Sequence, residues 1–343
     1  MPEALADAWA GLSPDLQDAI LMVALLLPAL VVGWIVAAGY RPFALVRALL
    51  WRFRWTNLLF VALIAVSIGI GVGLIAQERG LRQGTARAAE KFDLIVAAPG
   101  SEVTMLMAAV YLQPSDVPLL SGAVYDEIAT HEHVSLAAPI AYGDSYLSSP
   151  VIGTTADFVR HLSGALTEGR LFQARQEAVI GARVPLDLGA SFEAAHGVGA
   201  SAEHDAHGGY GYTVVGRMAL SGTPWDRAIL VPVEAVWEVH GLSIGHAPER
   251  IDQLGPPFDP DDFPGTPAVL VRADELWANY ALRSDFTRDD TMAFFPGAVL
   301  ARLHALMGDV RAAMSVMAVV TQVLVTAGVL AGLVILTRLF ARR

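Results

Sequence analysis

Side chains able to do chemistry gather in three stretches of this sequence. The first is His196-Gly-Val-Gly-Ala-Ser-Ala-Glu-His-Asp-Ala-His-Gly-Gly-Tyr-Gly211, where His196, His204, His207, Glu203 and Asp205 sit among glycines. Neutral imidazoles and carboxylates are good Zn²⁺ ligands, and His204-x-x-His207 can reach one ion together with His196. A glycine-rich loop has to be ordered as the metal binds, which weakens affinity. Weak, transient zinc contact is therefore the metal chemistry to weigh here, against a solvated polar insertion between two strands. The second stretch, Gly241-Leu-Ser-Ile-Gly245, has the Gly-x-Ser-x-Gly form of a hydrolase elbow around Ser243, with His304 and several aspartates downstream. That form carries a nucleophile only between a core strand and a helix. Pro248 follows closely, so a plain turn is expected. The third, Asp259-Pro-Asp-Asp262, is acidic enough for Ca²⁺ but lacks the glycine and distal glutamate of an EF-hand loop. Pro256, Pro257 and Pro264 around it predict a rigid exposed loop.

Other chemistry is excluded outright. The absence of cysteine removes disulfides, thiolate zinc sites, iron–sulfur clusters and cysteine nucleophiles. Lys91, the only lysine, stands in Glu-Lys-Phe, and no glycine-rich loop ends in Lys-Ser or Lys-Thr, so nucleotide binding by a P-loop is excluded as well. No residue is expected to be catalytic, and no cofactor is expected apart from weakly bound zinc. His131-Glu-His133 is expected to end a helix and face water.

The elements that must position these stretches begin with the membrane. The 343 residues are 54% hydrophobic and 17% charged, and the mean hydropathy of +0.48 is too high for an ordinary soluble enzyme of this length. Apolar residues concentrate in three uncharged runs, at 20–39, 58–76 and 314–337. At about 1.5 Å per residue, each can cross a hydrocarbon core about 30 Å thick. Glu3, Asp7, Asp15 and Asp18 precede the first run with no Lys or Arg, which argues for a retained span and against a signal peptide.

Charge orients the chain. The net -11 divides into -4 over the head, +4 from Arg41, Arg47, Arg52 and Arg54, -14 over 77–312, and +3 from Arg338, Arg342 and Arg343. The positive-inside rule makes the Arg-rich loop and the tail cytoplasmic. The expected order is a short extracytoplasmic head at 1–19, a first span at 20–39 and a cytoplasmic interfacial segment at 40–57. A second span at 58–76 leads to an extracytoplasmic α+β domain at 77–312, then a third span at 313–337 and a cytoplasmic tail at 338–343. Arginine alternates with Trp51, Phe53 and Trp55 beside the second span, which suits lipid headgroups and not nucleic acid.

Within 77–312 the patterns predict strands at 92–98, 178–181, 212–216, 228–233 and 268–272, with 134–146 extended. Helices are predicted at 117–130, 156–163, 273–280 and 298–311. Residues 77–91 hold no proline and predict a helical stalk leading out of the second span. Leu300, Leu303, Leu306, Met307, Val310 and Met314 form an apolar stripe along a second stalk. Gly69-x-x-x-Gly73 and Gly328-x-x-x-Gly332 place small residues where span helices can pack closely.

This arrangement resembles the MacB/FtsX-like permease family of ABC transport systems. Asp93-Leu-Ile-Val-Ala-Ala-Pro-Gly100 is similar to the family's first strand after the stalk. Glu177-Ala-Val-Ile-Gly-Ala-Arg-Val-Pro-Leu-Asp-Leu-Gly189 resembles its strand–helix segment. Tyr212-Thr-Val-Val-Gly216 and Gly222-Thr-Pro-Trp-Asp-Arg-Ala-Ile-Leu-Val-Pro232 resemble the strands that follow. The likeness covers roughly residues 50–337. It implies a dimer, with itself or another permease chain, in the inner membrane, driven by a separate cytoplasmic ATPase and acting at the outer face on lipoproteins, peptides, drugs or cell-wall hydrolases, with a periplasmic adaptor among its partners. Family members carry two further spans after the one at 313–337, whereas this chain stops at Arg343, and the span at 20–39 lies ahead of their usual first. A truncated or split permease, or an accessory protein sharing the periplasmic part, is expected. A membrane-anchored zinc-binding or sensing protein is the alternative, and a membrane-anchored serine hydrolase the third.

Overall fold

The computed structural model describes residues 14–39, 43–113, 115–196 and 206–341. The chain divides into two units, Met1–Val72 with Ser315–Arg343, and Gly73–Met314.

The first unit is helical. It contains α1 (Pro14–Gly39), α2 (Phe43–Arg52), the start of α3 (Arg54–Ala89) and the end of α9 (Pro296–Ala341). Leu25, Leu30, Trp34, Val61, Ile70, Val319 and Leu324 are all exposed. A helix that is apolar all round calls for lipid or a protein core. Among the described residues one segment is long and apolar enough to cross a membrane, Arg54–Gly73, with a hydropathy of 2.1; Ala19–Ile35 and Val319–Gly332 are apolar but shorter. Of the three spans expected at 20–39, 58–76 and 313–337 from uncharged runs of sufficient length, the described residues thus contain one helix that meets both length and hydropathy. At the Arg-rich loop, the Arg54 guanidinium lies 5.4 Å from the Trp51 ring centre, and the Asn57 amide donates to the Leu50 carbonyl at 3.2 Å.

The second unit is an α+β domain with two sheets. Its strands are β1 (Leu94–Ala97), β2 (Val134–Pro139), β3 (Ala141–Tyr146), β4 (Ser149–Thr154), β5 (Leu166–Gly169), β6 (Glu177–Ile180), β7 (Ser191–His196), β8 (Ala206–Met218), β9 (Ile229–Pro232), β10 (Ala268–Ala273) and β11 (Met292–Phe294). Its shorter helices are α4 (Glu102–Ala109), α5 (Gly122–Ala129), α6 (Ala156–Ser163), α7 (Val233–Val239) and α8 (Ala278–Asp285). One sheet has the order β11-β1-β10-β2, with every pairing antiparallel. The other runs β5-β8-β6-β9-β4-β3-β7, and β7 also pairs with the long β8. That extra pairing closes the sheet on itself and leaves β7 no free edge.

Strand β1 is buried on both faces, and its side chains alternate between two cores. Leu94 and Val96 join Tyr125, Trp237, Phe258 and Phe263, whereas Ile95 and Ala97 join Phe158, Trp225, Leu230 and Phe294. A strand buried on two sides has no polar face to show, so it reads as a continuous apolar run.

Several elements differ from the pattern reading, each for a local reason. The expected helix at 117–130 begins at Gly122, because Leu120 pairs with Thr266 and Ser121 caps the helix by accepting from the Val124 amide. The extended 134–146 stretch splits at Ile140 into strands of different sheets. The Thr266 hydroxyl holds that point, accepting from the Ile140 amide at 3.1 Å and lying 2.8 Å from its carbonyl oxygen. The helix expected at 273–280 starts at Ala278. Asp274 accepts from the Glu275 amide at 2.7 Å and Glu275 holds the Trp277 indole, which makes a turn of the residues between. No helix follows β6. The Arg183 amide donates to the Asp226 carbonyl at 2.7 Å and the Val184 amide to Gly181, folding 181–184 into a turn. Helix α6 matches its expected bounds, capped by Thr155.

Candidate functional site

The residues singled out for chemistry do not converge. Residues 197–205, with His204, Glu203 and Asp205, lie outside the described residues. So do the side chains of His196 and His207, whose backbones end β7 and begin β8. Among the described residues no group of three or more His, Asp or Glu is placed to hold a metal ion. Ser243 follows helix α7 in a turn, not a strand, and its hydroxyl donates to the Asp262 carbonyl at 2.5 Å. His304 is engaged elsewhere, 3.0 Å from the Thr85 hydroxyl. The elbow reading of Ser243 therefore lacks its strand–helix setting.

The acidic loop is built as a brace. The Asp259 carboxylate accepts from the Ala247 amide at 2.6 Å and pairs with Arg250. These contacts, the amide first, hold its pKa below the usual carboxylate range. The Asp262 carbonyl accepts from the Gly245 amide at 3.1 Å, so the loop is pinned by its own backbone. His131 and His133 lie beyond the end of α5, half-buried, with His133 Nδ1 3.6 Å from Asp274 and its ring edge-on to Trp277. Of the four span glycines, Gly332 approaches Phe60 at 3.5 Å from its would-be Cβ; Gly69, Gly73 and Gly328 meet nothing within 4 Å among the described residues.

What the fold does assemble is a cavity of about 710 Å³ in the Gly73–Met314 unit. Its walls come from the segment after α4, from β3 and β4, from α7 and from the turn at Gly265. The walls are mostly apolar, with Leu112, Leu119, Ile152 and Trp237 among them. Trp237 is fixed by edge-on packing against Phe258 and Phe263, the latter stacked on Tyr125 at 4.7 Å. Into this apolar space the fold places Tyr142, Asp144 and His240. The Asp144 side chain is 1% exposed, and its Oδ1 lies 3.7 Å from His240 Nε2. Among the described residues the buried Tyr142 hydroxyl has no hydrogen-bond partner, and burial pushes its pKa well above the usual phenol value.

Pattern reading missed these three. Tyr142 and Asp144 stand in Ala141-Tyr-Gly-Asp-Ser-Tyr146, and the one available signal was an ionisable residue within an extended stretch that follows a buried apolar one. His240 ends a short helix whose periodicity is too brief to read.

Residues 58–276 match the model of the family described as MacB-like periplasmic core domain. Among solved structures, the periplasmic region of MacB from Actinobacillus actinomycetemcomitans is similar at 11% identity and a TM-score of 0.39, over 64% of this chain and 95% of that one. The extracellular domain of the noncanonic ABC-type transporter YknZ from Gram-positive bacteria gives 11% identity and a TM-score of 0.34, over 59% and 98%. No curated protein matches. The family match spans more than half the chain and takes in strands β1 to β10 with the apolar start of α3, so the chain belongs to the MacB/FtsX-like ABC transporter permease family through its MacB-like periplasmic core domain.

Proposed function

We propose that this chain is a permease-type membrane subunit of an ABC transport or mechanotransmission system. In this reading three helices, at 20–39, 58–76 and 313–337, anchor it in the inner membrane and 77–312 faces the periplasm. A separate cytoplasmic ATPase supplies the work, two permease chains pair, and a periplasmic adaptor joins them at the outer face. The substrate is exported or belongs to the envelope.

The observation that carries the reading is the course of α3 and α9. Each contributes residues to both units, α3 over Arg54–Ala89 and α9 over Pro296–Ala341. Their domain ends are built into the core, with Ala88, Ala89, Val299 and Leu300 all buried in one cluster. Each helix is thus a continuous piece of chain between an apolar run and the domain core. The segregation of charge, with arginine in the loop at 41–54 and a balance of -14 over 77–312, supports the orientation. Without a P-loop, the chain has to borrow its ATP hydrolysis.

Affinity purification from native membranes tests the proposal. An ABC ATPase subunit is expected to co-purify, and its ATPase rate to change on adding the purified chain. Repeated recovery of the chain without any ATPase would count against the reading.

A further inference from the structure

Where α2 runs into α3, positive charge stands without compensation. No Asp, Glu or Lys occurs between Asp18 and Glu78, whereas Arg41, Arg47, Arg52 and Arg54 do. Among the described residues no carboxylate pairs with Arg47, Arg52 or Arg54, and all three are exposed. In the α+β domain, by contrast, Arg170, Arg250, Arg288 and Arg302 each hold an acidic partner.

The helix geometry arranges these charges. The Phe53 amide donates to the Leu49 carbonyl at 3.0 Å and the Asn57 amide to that of Phe53 at 2.9 Å, so a helical path continues from α2 into α3. Residues three and four apart then share a face. Phe43, Arg47, Trp51, Arg54, Leu58 and Val61 follow that spacing and form one exposed stripe. Arg52 falls off it, about 100° round the helix from Trp51. The Arg54 guanidinium lies 5.4 Å from the Trp51 ring centre. Stacking on a ring occupies the flat face of a guanidinium and leaves its N–H edge to donate.

The stripe is amphiphilic along its length. Phe43 is 73% exposed and Trp51 72%, too much apolar surface for a helix facing water alone. Leu58 and Val61 belong to Arg54–Gly73, the segment long and apolar enough to cross a membrane. Its complement is a molecule with an anionic head and apolar tails.

We propose that this stripe binds an anionic phospholipid. The phosphate takes the N–H edges of Arg47 and Arg54, whose forks match its oxygens. The Trp51 ring lies at headgroup depth, where tryptophan is favoured, and the acyl chains follow Leu58 and Val61. A zwitterionic lipid brings its own cation toward the same guanidiniums and binds more weakly. The proposal rests on the membrane anchoring in the permease reading, and on neither the ATPase nor the adaptor.

The test is native mass spectrometry of the full chain in detergent, titrated with dioleoylphosphatidylglycerol or dioleoylphosphatidylcholine. The anionic lipid is expected to be retained at one site, about tenfold more tightly than the zwitterionic one, because charge-assisted bonds form with it unopposed. Arg47→Gln with Arg54→Gln is expected to erase that preference. Arg47→Lys with Arg54→Lys keeps the charge but loses the forks, and is expected to weaken the anionic lipid about threefold. Arg52→Gln removes an equal charge off the stripe and is expected to leave the preference unchanged. Inorganic phosphate is expected not to displace the lipid. Equal affinity for the two lipids, a preference that survives the double Gln variant, full affinity in the double Lys variant, displacement by phosphate, or a loss in Arg52→Gln as large as in Arg54→Gln would overturn the proposal. Failure here with an ATPase still co-purifying would leave the permease reading standing.

Discussion

Thr85 on α3 and His304 on α9 stand 219 residues apart in the chain and meet at 3.0 Å, Oγ1 to Nε2. The Thr85 hydroxyl proton is directed at the Leu81 carbonyl oxygen, 2.8 Å away, so the imidazole Nε2–H donates across to Oγ1. Close by, the Arg302 guanidinium pairs with Glu102 on α4. The bases of the two stalks are thus joined by one specific polar contact as well as by the buried Ala88, Ala89, Val299 and Leu300 of a shared core cluster.

This relationship predicts an energetic coupling. A partly buried hydrogen bond contributes about 0.5–1.5 kcal/mol net. His304→Ala is expected to lower domain stability by about 1 kcal/mol, and Thr85→Val by a similar amount. In a double-mutant cycle followed by denaturant unfolding, the two losses should fall short of additive by about 0.5–1 kcal/mol. Additive losses would mean that the two side chains do not sense each other.

Gly181 predicts a packing failure. A Cβ built there meets the Asp226 carbonyl carbon and oxygen at 2.4 Å and the Trp225 oxygen at 2.5 Å, all of them backbone. Backbone held by the Ser221–Asp226 turn cannot retreat, so Gly181→Ala is expected to cost about 3 kcal/mol, at the upper end for overpacking. Gly100→Ala serves as the control, because a Cβ there meets nothing within 4 Å among the described residues. Thermal unfolding of both variants distinguishes a steric cause from a general intolerance of substitution.

Much of the α+β domain was legible because its signals are local. Helix α6 carries its own Thr155 cap and an apolar stripe of Phe158, Val159 and Leu162, and β1 is an unbroken apolar run. The split at Ile140 was not legible, because the residue that causes it, Thr266, lies 126 positions away. The closed sheet depends likewise on β7 pairing with β3, about fifty positions back in the chain, as well as with its neighbour β8. The cavity was hidden for the same reason. Tyr142, Asp144 and His240 acquire their meaning only when β3 is laid beside α7. The histidines that did stand out, His196, His204 and His207, advertised themselves by spacing within a single stretch, which is the one kind of proximity a sequence displays.

Asp226 predicts a second stability hot point, this time polar. The side chain is 2% exposed. Its Oδ1 accepts from the Ser221 amide at 2.8 Å and the Ser221 hydroxyl at 2.7 Å, and Oδ2 accepts from the Gly222 amide at 2.9 Å. Removing it strands two amide donors, each costing about 1–3 kcal/mol if they stay buried. Asp226→Ala is therefore expected to lose about 2–4 kcal/mol. Asp226→Asn should lose less, since its one oxygen still satisfies Ser221 while its NH₂ faces the Gly222 amide. Equal losses in chemical denaturation would show that charge, not acceptor count, holds the turn.

Glu177 predicts a pH dependence with a definite sign. Its carboxylate receives both Arg170 nitrogens, at 2.7 and 2.5 Å, and the Gln173 amide at 2.7 Å. The Arg170 hydrogen bonds, ahead of the opposing effect of desolvation, hold its pKa at about 2, against an ordinary value of 4.5. A carboxylate whose pKa is lower in the folded chain binds fewer protons there than when unfolded. Its contribution is therefore fully present above pH 4.5 and disappears as the pH falls toward 2. Glu177→Gln is expected to lower the melting temperature at pH 6 and to converge with the wild type as the pH approaches 2. Comparing the two proteins at each pH cancels the titration of every other group. A difference in melting temperature that stays constant from pH 6 to pH 2.5 would show that Glu177 acts through its shape and not through its charge.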